Sequence, residues 1–192
     1  MSRIIIVTDS TADLTEQEIQ DFNIHVVPLN ITIQEEHYLD GETITKEEFK
    51  NKMIASSELP MTAQPSIGRF VELYDELGKD GSEIISIHLM NSISGTVNAA
   101  RQAADITEST VTVVDSDFTS RSMGIIVREA AKAAKEGKSA EEVLAIIEST
   151  RQRPKLYLTV LNLDNLIKGG RISRVMGAFS NLLNIKLFLE VI

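Results

Sequence analysis

The stretch that decides the fold is residues 83–104, EIISIHLMNSISGTVNAARQAA. An apolar, β-branched run comes first, and an alanine-rich run without proline or glycine comes last, so the stretch predicts a buried strand followed by a helix. In the turn between them, Asn91 or Ser94 can cap the helix, and Gly95 lets another group approach the backbone closely. A helix N-terminus attracts anions. The turn therefore suits a carboxylate or a phosphate, although an ordinary capped helix has the same pattern.

Strands and helices alternate on both sides of this stretch. Residues 4–7 and 111–114 are short apolar runs of the kind buried on both faces of a parallel sheet. Three capping-box patterns predict helix starts between or after these strands: Thr15 with Glu18, Thr45 with Glu48, and Ser139 with Glu142. The alternation predicts an α/β protein with a parallel sheet flanked by helices.

The pattern changes after Arg153. Short elements follow, predicted as a strand over residues 156–161, a helical turn over 164–167, a helix over 175–183 and a strand over 185–192. We therefore predict an N-terminal α/β domain over residues 1–153. Residues 154–192 are predicted to form the beginning of a second, incomplete α/β domain.

Composition excludes several classes of function. The chain has 192 residues and a net charge of −9, which disfavours nucleic acid as a partner. It has no cysteine, and its three histidines are not spaced like metal ligands, so we predict neither disulfides nor a metal site. No apolar run approaches the length of a membrane span. We expect a cytoplasmic protein without stable membrane insertion.

Small polar residues follow three of the predicted strands. They are Thr8, Asp9 and Ser10; Asn91, Ser92 and Ser94; and Asp115 and Ser116. Carboxyl ends of parallel strands share one edge of a sheet, where ligands bind in such folds. The alternative is that these residues only cap the helices that follow. Thr62, in a loop between Pro60 and Pro65, is placed to add another hydroxyl.

Catalytic and nucleotide-binding motifs are absent from the sequence. It contains neither a dinucleotide-binding glycine motif nor a phosphate-binding loop, so no cofactor is predicted. Arg171, after Gly169 and Gly170, is placed to meet a phosphate or an acidic partner, or to be a solvated turn residue. No histidine is placed to activate Ser94, which favours binding over catalysis. The alternatives are a hydrolase or phosphotransferase using Ser94 or Asp9, and a small anion-binding regulatory module.

Five segments, in this order, are similar to those of the DegV family. They are VTDSTADL (7–14), TAQPS (62–66), SISGT (92–96), VDS (114–116) and KGGRIS (168–173). The chain thus resembles a family of bacterial fatty-acid-binding proteins, some of which are the acyl-carrier subunit of fatty acid kinase.

The resemblance implies a two-domain protein that holds one long-chain fatty acid between its domains. It implies that Thr62 and Ser94 bind the carboxylate, that Ser116 lines the site and that no residue is catalytic. Arg171 would face the kinase catalytic subunit, which uses ATP to form acyl-phosphate for phospholipid synthesis. Family members usually continue beyond the last residue of this chain and supply there most of the second domain's sheet and a histidine that helps bind the carboxylate. The resemblance therefore implies that the chain is a fragment, that its binding is weakened or that a second copy covers the gap.

Overall fold

The computed structural model describes residues 2–160, 164–171 and 187–191. The strands described, β1 to β9 in chain order, are Ile4–Asp9, His25–Val27, Asn30–Ile33, Glu36–Leu39, Met61–Ala63, Glu83–His88, Val111–Asp115, Leu156–Val160 and Leu187–Val191. The α-helices described, α1 to α7, are Glu16–Phe22, Lys46–Ala55, Ile67–Gly78, Thr96–Ile106, Ser120–Lys135, Ala140–Arg151 and Asp164–Lys168. The helix predicted over residues 175–183 lies outside the described residues.

A four-stranded parallel sheet forms the centre of the fold. Its strand order is β2-β1-β6-β7, and every neighbouring pair is parallel. All six residues of β1 are buried, as are five of the six in β6, which explains the continuous apolar run over residues 4–7 and the three isoleucines of β6. The predicted α/β class, with a parallel sheet flanked by helices, is confirmed.

Helices cover both faces of this sheet. Ile6 and Ile87 belong to a core cluster with residues of α5 and α6, whereas Ile5 and Val7 belong to a second cluster with residues of α3 and α4. Successive side chains of a strand point to opposite faces, so the apolar run of β1 supplies both clusters.

Capping residues set most of the predicted helix starts. Both hydrogen bonds of the capping box are present at Thr15, Thr45 and Ser139, which are the N-caps of α1, α2 and α6. Each box satisfies two otherwise unpaired groups at the helix start. Ser94 or Asn91 was predicted to cap α4. The N-cap position itself is Gly95, which has no side chain to cap with, but the Ser94 hydroxyl accepts a hydrogen bond from the N–H of Thr96, the first residue of α4.

A second sheet, antiparallel and three-stranded, has the order β4-β3-β5. Pro28 separates β2, at the edge of the parallel sheet, from β3 in this second sheet. The segment between Pro60 and Pro65, predicted as a loop, contains β5, in which Thr62 pairs with Ile31 of β3. Strand β4 was not predicted. This sheet brings Thr62 towards the loop that follows β6.

Strands β8 and β9 form a separate antiparallel pair. The rings of Tyr157 and Phe188 stack across it, with centroids 5.4 Å apart. The pair is not hydrogen-bonded into the parallel sheet. A domain boundary after Arg153 stays a prediction. Among the described helices, none has the length and apolarity needed to cross a bilayer.

Substitution of two helical glycines by alanine should change the free energy of unfolding in opposite directions. A Cβ atom added to Gly124 in α5 would lie 2.2 Å from the carbonyl oxygen of Ala12, whereas one added to Gly68 in α3 would meet nothing within 4 Å. We expect Gly124→Ala to lower the free energy of unfolding by about 1–3 kcal/mol or more, because a backbone atom must shift. Gly68→Ala should raise it by about 0.5–1 kcal/mol. Urea unfolding of both variants checks the pair, and equal effects would contradict it.

Candidate functional site

A cavity of ≈ 430 Å³ lies between the second sheet and the loop joining β6 to α4. The apolar side chains that line it are Leu29, Ile31, Phe49, Leu59, Pro60, Ala63, Leu89 and Ile93. Its volume falls within the usual range for small-molecule sites, and an apolar lining with few polar groups is typical of them. Leu59, Ile93 and the neighbouring Met61 are partly or largely exposed. The cavity therefore offers an apolar surface that continues to its rim.

Three of the four predicted site residues line this cavity together. Thr62 reaches it from β5, Ser94 from the loop before α4, and Arg171 from the segment after α7. Thr62 and Ser94 are far apart in the chain, and the pairing of β5 with β3 brings them to one cavity. The cavity thus combines these two hydroxyl residues and a guanidinium with a largely apolar lining, which also includes the hydroxyl residue Thr11 and the acidic residue Asp40.

Ser94 lies just before the first turn of α4. Its hydroxyl oxygen accepts a hydrogen bond from the backbone N–H of Thr96 at 3.3 Å and lies 2.9 Å from Thr96 Oγ1. Because Gly95 is the N-cap, the helix start carries no capping side chain at that position. Ser94 is only partly buried, so its hydroxyl is in reach of the cavity. A Ser94 O–H bound to a ligand anion would lie beside the positive end of the helix dipole.

Gln64 also lines the cavity, and sequence analysis did not single it out. A Cβ atom on Gly95 would lie 1.9 Å from Gln64 Oε1, so the carboxamide of Gln64 lies directly against Gly95. The backbone carbonyl of Gln64 accepts a hydrogen bond from Asn30 Nδ2 at 2.9 Å. Gly95 therefore permits the close approach of a side chain of the protein itself, which no local sequence pattern indicates.

Arg171 connects its own segment to the loop that contains Ser94. Its Nη1 donates to the carbonyl oxygen of Gly169 at 2.7 Å, and its Nη2 donates to the carbonyl oxygen of Ile93 at 3.3 Å. The side chain is exposed. The guanidinium therefore lies at the rim of the cavity, open to solvent. It contacts Ile93, the residue directly before Ser94.

Ser116 is not brought to this cavity. It is fully buried; its hydroxyl donates to the carbonyl oxygen of Phe118 at 3.0 Å and accepts from the N–H of Phe118 at 3.2 Å. Its neighbour Asp115 accepts hydrogen bonds from the N–H groups of Asn91 and Asp117. Both side chains hold loops at the sheet edge, so the geometry gives no support to the prediction that Ser116 lines the site.

Comparison with known proteins decides the family. The sequence profile described as "Uncharacterised protein, DegV family" matches residues 3–192. The chain belongs to the DegV family. A DegV domain-containing protein of Listeria innocua, lin1977, is 48% identical over 192 residues, which are 100% of this chain and 69% of that protein.

Two solved DegV structures share the fold. The structure described as DegV, a fatty acid binding protein from Bacillus subtilis, has a TM-score of 0.91 and 33% identity, covering 100% of this chain and 69% of that one. A DegV family protein from Thermus thermophilus, described by its fatty acid binding, has a TM-score of 0.85 and 36% identity, covering 99% and 68%. Both are similar to this DegV chain over nearly all of its length.

The DegV chain also contains a serine, a histidine and an aspartate side chain that are linked by consecutive hydrogen bonds. Ser86 Oγ lies 2.7 Å from His88 Nε2, and His88 Nδ1 lies 3.0 Å from Asp9 Oδ2. This is the connectivity of a serine hydrolase triad. All three side chains are 0% exposed, however, so no substrate reaches Ser86. His88 is thus a buried core histidine with a partner on each ring nitrogen.

A second cavity of ≈ 640 Å³ lies near the start of α1. Its lining includes many carboxylates, and the two basic side chains there are paired: Lys46 Nζ lies 2.9 Å from Asp13, and Arg69 binds Glu42. This cavity suits an anion less well than the one lined by Thr62 and Ser94. Within the described ranges, no group of three or more His, Cys, Asp or Glu side chains is placed to hold a metal ion.

Proposed function

We propose that this chain binds a long-chain fatty acid, with its carboxylate on Thr62 and Ser94 and its acyl chain along the apolar lining. The observation that carries the proposal is that two hydroxyl groups from distant parts of the chain line one apolar cavity. The fatty acid binding described for the two solved DegV structures supports it. The carboxylate and the acyl chain of the ligand are bound by different interactions.

The carboxylate half favours hydroxyl donors. A hydrogen bond to a charged group contributes about 1.5–3 kcal/mol, and the start of α4 adds a favourable partial charge beside Ser94. The acyl half favours side chains such as Leu29, Ile31 and Phe49, because each buried CH₂ group contributes about 0.8 kcal/mol. Several methylene groups in the cavity therefore contribute as much as both hydroxyls together.

We propose further that the chain is a carrier without catalytic activity. In this account it presents the bound carboxylate to the catalytic subunit of a fatty acid kinase, which forms acyl-phosphate for phospholipid synthesis. The exposed guanidinium of Arg171, at the rim of the cavity, supports a role in binding that partner. The burial of Ser86, His88 and Asp9 is consistent with a protein that binds its ligand unchanged.

Two single variants separate ligand binding from partner binding. Ser94→Ala should weaken stearic acid binding by about 10-fold or more, because one charge-assisted hydrogen bond is lost. Arg171→Ala should weaken it less than about threefold but lower kinase-dependent acyl-phosphate formation by about 10-fold, as expected when a charged contact with a partner is removed. Calorimetric titration and a kinase-coupled assay measure the two effects.

The matched control for Arg171 is Lys132→Ala, which removes an exposed positive charge from α5. It should change neither measurement. If Ser94→Ala and Arg171→Ala both leave acyl-phosphate formation at the wild-type rate, the proposed roles are wrong.

A further inference from the structure

A chain of buried hydrogen bonds runs from α3 to the end of β1. Tyr74 donates to Ser86 Oγ at 2.8 Å, Ser86 Oγ lies 2.7 Å from His88 Nε2, and His88 Nδ1 lies 3.0 Å from Asp9 Oδ2. All four residues are 0% exposed. Buried polar groups are stable only when each has a partner, so this chain fixes the position of every member.

The direction of the hydrogen bonds follows from the first donor. Burial raises the pKa of the Tyr74 hydroxyl, and the hydrogen bond with Ser86 opposes that rise only in part, so Tyr74 keeps its proton. Since Ser86 accepts from Tyr74, its own proton is free to be donated to His88 Nε2. His88 therefore carries its proton on Nδ1 and donates it to Asp9. The chain of donors ends on a carboxylate.

Both carboxylate oxygens of Asp9 accept two hydrogen bonds each. Its Oδ2 accepts from His88 Nδ1 and, at 3.0 Å, from the N–H of Leu89. Its Oδ1 accepts from the N–H of Thr11 at 3.0 Å and from Thr11 Oγ1 at 2.6 Å. Four donors match the acceptor capacity of an ionised carboxylate. Asp9 consequently has no free lone pair for a ligand or for base catalysis.

Two of the residues held by Asp9, Thr11 and Leu89, line the cavity that contains Thr62 and Ser94. Because the Thr11 hydroxyl gives its proton to Asp9, its oxygen is left with lone pairs only. Such an oxygen repels a carboxylate, which is therefore directed to the hydroxyls of Thr62 and Ser94. Asp9 also fixes Leu89, where β6 gives way to the loop that carries Ser94.

We propose that Asp9 is a positioning residue for the fatty acid site: it fixes Thr11 and Leu89 in the cavity wall and makes Thr11 an acceptor that excludes the carboxylate from that side. The proposal rests on the proposed function and adds a residue that does not touch the ligand. It assigns Asp9 an effect on ligand affinity beyond its effect on stability.

Asp9→Asn tests this role. An amide has one oxygen and one NH₂ group, so either orientation points an NH₂ group at a backbone N–H, that of Leu89 or that of Thr11. One of these two wall residues must then move. We expect stearic acid affinity to fall by about 10-fold, and the amide proton resonance of Thr11 or Leu89 to shift in the free protein.

Ser86→Ala is the matched control, because it breaks the same buried chain but leaves all four contacts of Asp9 in place. It should keep affinity within about twofold and leave both amide resonances unchanged. Thr11→Val, which removes one donor to Asp9, is a second, milder variant with an expected loss of about threefold. Thermal unfolding confirms that each variant is folded at the temperature of the titration.

Equal affinities of Asp9→Asn and Ser86→Ala, or tighter binding by Asp9→Asn through loss of its negative charge, would overturn the proposal. If the wild-type chain binds no stearic acid, the proposed function fails instead. The Thr11 and Leu89 resonances in the free proteins then still decide whether Asp9 positions these two residues.

Discussion

Stearic acid should bind the double variant Thr62→Ala/Ser94→Ala at least about 100-fold more weakly than the wild-type chain. Each hydroxyl is proposed to donate one charge-assisted hydrogen bond to the carboxylate, and two such bonds contribute about 3–6 kcal/mol, or about two to four orders of magnitude in affinity. The apolar lining is unchanged in the variant, so the acyl chain still contributes. Calorimetric titration of both proteins measures the difference.

The matched control is Ser92→Ala/Thr112→Ala. Ser92 lies in the same loop as Ser94, and Thr112 lies on a strand, as Thr62 does; both are exposed, and neither lines the cavity. This variant should bind stearic acid as tightly as the wild type. Similar affinities of the two double variants would show that the carboxylate lies elsewhere.

Replacing Asp9 by alanine should lower the free energy of unfolding by about 3–5 kcal/mol, as expected when one partner of a buried polar network is removed. The change leaves His88 Nδ1, the N–H of Leu89 and both donors of Thr11 without their acceptor. Buried donors without a partner cost about 1–3 kcal/mol each, and only some find water. Urea unfolding followed by circular dichroism measures the loss.

Asp115 provides a graded comparison for Asp9. It is the last residue of β7 in the same sheet, as Asp9 is the last residue of β1. It is only partly buried and accepts hydrogen bonds from two backbone N–H groups, those of Asn91 and Asp117. Asp115→Ala should therefore cost about 1–2 kcal/mol, since water can replace the carboxylate. Equal losses for the two variants would contradict the importance assigned to the buried network.

Local patterns predicted the parallel sheet and most of the helix starts because their causes are local. The apolar runs of β1 and β6 reflect burial on both faces of the sheet, and a capping box needs only four consecutive residues. Strand β4, with the sequence EHYL, was missed. Its residues neither alternate between apolar and polar nor form an apolar run. The strand forms because it pairs with β3, which is a tertiary contact that the local sequence does not show.

The candidate site was predictable only in part, because it depends on contacts between distant residues. Ser94 and Ser116 both follow strands of the parallel sheet, and sequence alone does not distinguish them. The turn of the chain at Phe118 gives Ser116 internal partners, while Ser94 lines the cavity. The contact between Asp9 and His88 joins β1 to β6, and neither residue indicates it locally. Thr62 was predicted from the sequence only as a further hydroxyl in a loop; its role at the carboxylate came from the family resemblance, and its position depends on the second sheet.

The identity of the bound ligand tests the central claim most directly. The protein, purified without added lipid, is denatured, and the organic extract is analysed by mass spectrometry alongside the Thr62→Ala/Ser94→Ala variant. We predict close to one long-chain fatty acid per wild-type chain and a much smaller amount in the variant. An extract of the wild-type protein without fatty acid, together with no binding of added stearic acid, would contradict the account.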